Sequence, residues 1–176
     1  FRDNSNASEN WRNADLLSYV KAVKLVTRLG GHVFVMGDPS MKAFPKMENV
    51  VDYAHHELRS DFLDVYLAAT SKFCVATASG FLRVPRYFGV PVIFTNCTFA
   101  LPFYSLRKSD IYLPRLLKYK QGRLLTFKEF FGPKIALLTT EVAKKLHQQG
   151  IDWIQNDEND ICLAVEAMLE NLFPKE

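Results

Sequence analysis

The chain has 176 residues, a net charge of +3 and a hydrophobic fraction of 48%, enough for one ordinary domain with a real core. No apolar run reaches the length of a membrane span, since Lys, Arg or Asp interrupts each candidate, and no signal-peptide pattern opens the chain. A soluble globular protein is therefore expected.

Phe1 stands where an initiator Met would, and Phe1-Arg2-Asp3-Asn4 reads as the tail of a strand entering a loop, so further residues are expected upstream. Asn13 is placed to cap a helix whose apolar positions Leu16, Val20, Val23, Val26 and Leu29 keep a helical period up to Gly30. His32 to Met36 is a short apolar strand ended by the turn cluster Gly37-Asp38-Pro39-Ser40. Asn49 to Tyr53 is a third short strand. Ser60 caps the next helix, which buries Phe62, Val65, Tyr66 and Ala69.

Lys72 to Asn96 then reads strand, tight turn, helix, strand, with Thr77-Ala78-Ser79-Gly80 as the turn and Val90 to Thr95 as the second buried strand. Cys97 to Lys120 reads as a long functional loop or a loop with short helical turns, with Pro102 and Pro114 in it. Thr126 and Glu129 form a capping box, and a helix from Thr140 or Glu141 runs to Gly150. Ile151 to Ile154 is a last strand, and Asp157 caps a C-terminal helix spanning 157–173.

Strands and helices alternating with short connections call for an α/β fold, a Rossmann-like, mainly parallel sheet with helices on both faces, in a single domain over 1–176. Ligands of such sheets bind beyond the carboxyl ends of the strands. Arg2-Asp3, Gly37-Asp38, Asp52-Tyr53, Thr77 to Gly80 and Asn96 all fall at such ends.

Thr77 and Ser79 offer hydroxyls beside helix amides, and Gly80 lets a ligand approach the backbone, which suits the diphosphate of a nucleotide sugar; a tight strand-to-helix turn needing small residues would look the same. A guanidinium at Arg2 is suited to holding a phosphate, or simply pairs with Asp3. Asp52, after Val50-Val51, is the carboxylate best placed for a ribose or sugar hydroxyl. Asp61 and Asp64 read as helix-start acids. His55-His56 reads as a surface pair, because adjacent residues diverge and no third ligand follows at a metal-binding spacing. No metal site is expected.

Cys74, Cys97 and Cys162 are too few and too scattered for a disulfide framework, so a reducing, cytoplasmic compartment is expected. Asn6-Ala7-Ser8 and Asn96-Cys97-Thr98 match the glycosylation acceptor pattern, which matters only in a secreted protein. Arg107 to Lys134 is basic, with Arg115, Lys118, Lys120 and Arg123, whereas the chain from Glu141 is acidic. That stretch reads as a solvated charged face, with an anionic membrane surface as the alternative partner; without interleaved aromatics, no nucleic acid is expected.

Taken jointly, Arg2-Asp3-Asn4, Arg12-Asn13-Ala14-Asp15, Met36-Gly37-Asp38-Pro39-Ser40-Met41, Val51-Asp52-Tyr53-Ala54, Ser60-Asp61-Phe62-Leu63-Asp64-Val65, Thr77-Ala78-Ser79-Gly80 and Phe88-Gly89-Val90-Pro91 resemble a bacterial glycosyltransferase family of the two-domain GT-B fold. Leu113-Pro114-Arg115 and Leu124 to Glu129 extend the resemblance over almost the whole chain. It implies a C-terminal, donor-binding half of a surface-polysaccharide enzyme, with no cofactor besides the nucleotide-sugar donor. The acceptor, a glycan or a lipid-linked one, would be brought by a missing N-terminal domain that also carries the general base. Arg2 would be the catalytic residue, neutralising the leaving diphosphate on the Thr77 to Gly80 turn, while Asp52, Tyr53 and Asn96 contact base, ribose or sugar and Gly37-Asp38 line the rim. Val35 departs from the pattern, standing where an arginine is expected. The alternatives are a non-catalytic nucleotide-sugar-binding or assembly module and a GT-B-type epimerase.

Overall fold

The computed structural model of the chain describes residues 14–77, 79–97, 106–130 and 145–174. Helices and strands both recur along it. A 3-10 turn over Leu16–Tyr19 leads into helix α1, Val20–Arg28; strands β1, Val33–Phe34, and β2, Val50–Val51, follow. Helix α2 spans Asp61–Thr70, β3 Cys74–Ala76, α3 Arg83–Tyr87 and β4 Val92–Cys97. Strands β5, Ile111–Pro114, and β6, Leu116–Tyr119, precede the short helix α4, Phe127–Phe130; β7, Ile151–Ile154, and α5, Glu158–Leu172, complete the described part.

The strands form three separate ladders. β1 and β2 are parallel, β3, β4 and β5 form a parallel sheet in that order, and β6 pairs antiparallel with β7. The chain is thus α/β with small parallel sheets. Every residue of β4, Val-Ile-Phe-Thr-Asn-Cys, is buried, as expected for a central strand covered on both faces. Its alternating side chains serve two cores. Ile93 packs with Ala22 of α1 and with Ile161, Cys162, Ala164, Val165 and Met168 of α5, whereas Val92, Phe94 and Cys97 pack with Cys74, Ala76, Leu82 and Tyr112.

Local signals behave as their chemistry predicts. Ser60 caps α2 by accepting from Leu63 N, and Asp157 caps α5 by accepting from Asn159 N and Asp160 N. Thr126 and Glu129 form the reciprocal box, with Thr126 N donating to Glu129 Oε2 at 2.7 Å and Glu129 N to Thr126 Oγ1 at 3.3 Å. Gly30 closes α1 at φ 82°, where a side chain would be strained.

Other expectations change. The first helix is capped by Asp15, whose carboxylate accepts from Leu17 N; Asn13 lies outside the described residues. The strands expected over 32–36 and 49–53 shrink to two residues each, and Tyr53 enters a 3-10 turn over Tyr53–His55. The largest difference is in 97–120, read as a loop but containing β5 and β6. β5 extends the central sheet from β4, and β6 finds its partner in β7, with Leu116 opposite Ile154. The helix start expected at Thr140 or Glu141 lies outside the described residues, while 145–148 are helical.

Candidate functional site

Parallel pairing puts the carboxyl ends of β3, β4 and β5 side by side, and those of β1 and β2 side by side. At the end of β3, Thr77 is half-buried, and Ser79 and Gly80 are exposed. Ser79 N donates to Thr77 O at 2.7 Å, folding the chain back before the 3-10 turn over Gly80–Leu82. The Ser79 hydroxyl makes no capping bond, and a Cβ placed on Gly80 would meet nothing within 4 Å. Among the described residues, this turn combines a hydroxyl that makes no capping bond with open space beside Gly80.

The end of β4 is different. Asn96 is 2% exposed and sits at φ 52°, beside an irregularity in the β4–β5 register. Its side chain is fully engaged: Nδ2 donates to Tyr19 Oη at 3.1 Å, and Oδ1 accepts from Asn156 N at 2.9 Å and from Arg115 Nε at 3.4 Å. Asn156 reciprocates by accepting from Asn96 N and donates from Nδ2 to Pro114 O at 2.8 Å. Thr95 Oγ1 lies 2.8 Å from Tyr19 Oη and donates to Ala76 O. Burial pushes the Tyr19 phenol up, the Arg115 guanidinium down and the Cys97 thiol up to about 12, all as a water-poor site requires. Asn96 is therefore an internal strut. The same geometry speaks against Asn96-Cys97-Thr98 as a sugar acceptor in the folded chain, because the amide nitrogen is buried and donating.

The β1–β2 rim is also mostly self-engaged. A Cβ on Gly37 would fall 2.1 Å from Met41 Sδ, and Met41 is buried, so glycine at 37 admits that thioether. Asp38 is exposed and turns inward on its own loop, its Oδ1 accepting from Ser40 N at 2.9 Å. Tyr53 is 3% exposed; its Oη accepts from Ser60 N at 3.1 Å and donates to Ser60 O at 3.3 Å, bracing the start of α2. Asp52 Oδ2 accepts from Phe44 N at 3.0 Å and bonds His55 Nδ1 at 2.9 Å, while Oδ1 is buried with no partner among the described residues. Arg2 lies outside the described residues.

Sequence reasoning missed His55, set aside as half of a surface pair. Its Nε2 reaches Pro39 O at 3.1 Å and Met41 O at 3.0 Å, tying the 37–44 loop to the end of β2. It also missed Tyr19, Arg115 and Asn156. Asn156 carried a usable signal, since it follows β7 as closely as Asn96 closes β4; Tyr19 and Arg115 carried none, because their roles depend on burial.

A shallow concavity of about 490 Å³ is lined by Asp15, Leu17, Ser18, Gln155, Asn156, Asp157 and Glu158. Its carboxylates would repel a phosphate, and Asp15 and Asp157 already cap helices, so it does not suit a diphosphate. The basic stretch is likewise partly spent. Arg107 pairs with Asp110, whose side chain is buried, at 2.8 Å, and Arg123 pairs with Glu129 at 2.9 Å. Burial alone would raise the Asp110 carboxyl, but the Arg107 bonds outweigh it and hold it below its usual range. Lys118, Lys120 and Lys128 remain exposed. Among the described residues, no group of three His, Cys, Asp or Glu is placed to hold a metal ion, and no helix is long and apolar enough to cross a membrane. Comparison with family models, curated proteins and solved structures returns no match.

Proposed function

We propose that this chain is the Rossmann-like, donor-binding half of a GT-B-type glycosyltransferase that passes a sugar from a nucleotide donor to a hydroxyl acceptor in surface-glycan synthesis. The observation that carries the reading lies past the carboxyl end of a parallel strand: among the described residues, the Ser79 hydroxyl makes no capping bond and Gly80 leaves the backbone approachable. The donor diphosphate would lie there, with Arg2 neutralising the leaving group as the acceptor oxygen attacks the anomeric carbon. The acceptor and the general base belong to an upstream half. Exposed Lys118, Lys120 and Lys128 are available to rest a lipid-linked acceptor complex against an anionic membrane surface.

The internal engagement of Asp52, Tyr53 and Asn96 removes three donor contacts expected from the sequence and favours, as a second reading, a nucleotide-sugar-binding module without turnover. One experiment addresses both. In the protein carrying its upstream half, Ser79→Ala should weaken nucleoside diphosphate binding roughly tenfold, the worth of one bond to a charged group. Arg2→Ala should lower transfer about 100-fold or more, as loss of a charge-stabilising donor does. Unchanged affinity and rate in both variants would sink the glycosyltransferase reading; binding without any transfer would favour the module.

A further inference from the structure

His55 is surrounded by acceptors. Its Nδ1 faces the Asp52 carboxylate at 2.9 Å, and its Nε2 faces two backbone carbonyls, Pro39 O at 3.1 Å and Met41 O at 3.0 Å. A neutral imidazole has one N–H and one bare nitrogen, so it satisfies one side and sets a lone pair against an oxygen on the other. Only the imidazolium donates in both directions. The ring thus joins the loop after β1 to the end of β2 through a proton that both sides need.

The consequences reach the backbone of that loop. The Asp52 oxygen that bonds His55 also accepts from Phe44 N, so one carboxylate receives the ring from one side and the loop's far end from the other. Met41 N donates to Asp38 O and Ser40 N to Asp38 Oδ1, which makes 38–41 a compact turn whose carbonyls point to the ring. Among the titratable groups of these segments, Asp52 is the charge bonded to the ring, Asp38 and Lys42 sit on the loop, Glu57 follows in the next turn, and His56 Nδ1 accepts from Leu58 N.

We propose that protonated His55 is a positioning residue, a proton-dependent latch that holds the 37–44 loop at the carboxyl end of β1. In its role toward a donor the latch rests on the glycosyltransferase reading, in which Gly37 and Asp38 of that loop line the donor rim. The loop-holding itself does not. The side chain is 30% exposed, so protons exchange freely with solvent. Its proton affinity is raised above the ordinary 6.5, first by the Asp52 bond and further by the Met41 and Pro39 carbonyls. A raised folded value means that the contribution is full below the unfolded value near 6.5 and is lost as pH climbs through the folded one.

The test follows the imidazole by NMR and the Phe44 amide by hydrogen exchange across about pH 5 to 8.5, the range in which histidine titrates. His55 should titrate above 6.5, and protection of the Phe44 amide should fall at the same midpoint. Asp52→Asn should move the ring midpoint down, and His55→Gln, whose amide donates only from its nitrogen end, presents an acceptor at the other and does not titrate, should leave the loop unprotected at every pH. A His55 midpoint at or below 6.5, or Phe44 protection that passes unchanged through the midpoint, would overturn the latch. A parallel titration with uridine diphosphate separates the two readings. A loop that follows His55 in a protein that binds no nucleotide keeps the latch and discards the donor site; nucleotide binding with a pH-insensitive loop does the reverse.

Discussion

The carboxyl ends of β3 and β4 lie next to each other in one parallel sheet, and each ends in a small polar sequence, yet they do opposite things. Beyond β3, Ser79 and Gly80 are exposed, the Ser79 hydroxyl makes no capping bond and the Gly80 backbone is open to approach. At β4, Thr95 and Asn96 are sealed beneath Tyr19, Arg115 and Asn156, with the Asn96 amide bonded through both of its atoms. The lesson is that a polar residue at a strand's end becomes either ligand contact or internal strut according to what the following chain lays over it. Buried polar groups must find partners, so once covered they are committed.

The comparison breaks most readily at Asn96. Asn96→Ala removes bonds to three partners, leaves Asn156 N and Tyr19 Oη short of theirs and puts alanine at φ 52°, so unfolding free energy should drop by about 3 kcal/mol. A denaturant titration measures it, and a loss under about 1 kcal/mol would mean that the knot is looser than its distances imply. Thr95→Val keeps the shape and deletes one hydroxyl between Tyr19 and Ala76; about 1 kcal/mol is expected by the same measurement. Ser79→Ala, the counterpart on β3, should change stability by under about 0.5 kcal/mol whatever it does to nucleotide affinity.

The smallest effect separates exposed from buried polar bonding. Glu129 is held down to about 2 by Arg123 and by the Thr126 backbone and hydroxyl, all at the surface. A depressed folded value gives stability present above the ordinary 4.5 and lost as pH falls through 2. Acid titration should therefore open the Thr126–Glu129 box with little change in the melting curve, because exposed ion pairs are screened. Chemical shifts of Thr126 and Glu129 report that opening, and a midpoint near 4.5 would place Glu129 free of its partners.

What could be read from the residues alone follows the range of each interaction. The Ser60 and Asp157 caps, the Thr126–Glu129 box and the Gly30 stop depend on atoms within a few positions of one another, and all four are found where they were expected. The strands β5 and β6 were hidden because their partners are distant: Ile111 lies opposite Ile93, and Leu116 opposite Ile154, while Pro102 upstream and Pro114 at the end of β5 imitate a loop. Asp52, Tyr53 and Asn96 were correctly located at strand ends, but their engagement depends on Phe44, Ser60 and Asn156, which no local pattern brings to them. Spacing reports which end of a strand a residue occupies. It does not report what covers it.

The exchange of bonds between Asn96 and Asn156 also sets an order of events during synthesis. The two residues are 60 positions apart, so while the chain emerges from a ribosome the carboxyl end of β4 waits, with its polar atoms still hydrated, until the segment beyond residue 150 has been made. β4 and its neighbours can pair early, but the closing of this knot and the docking of α5 onto Ile93 come together and late. A nascent chain stalled before residue 150 would expose the apolar face of β4 and should bind chaperones more tightly than one released complete.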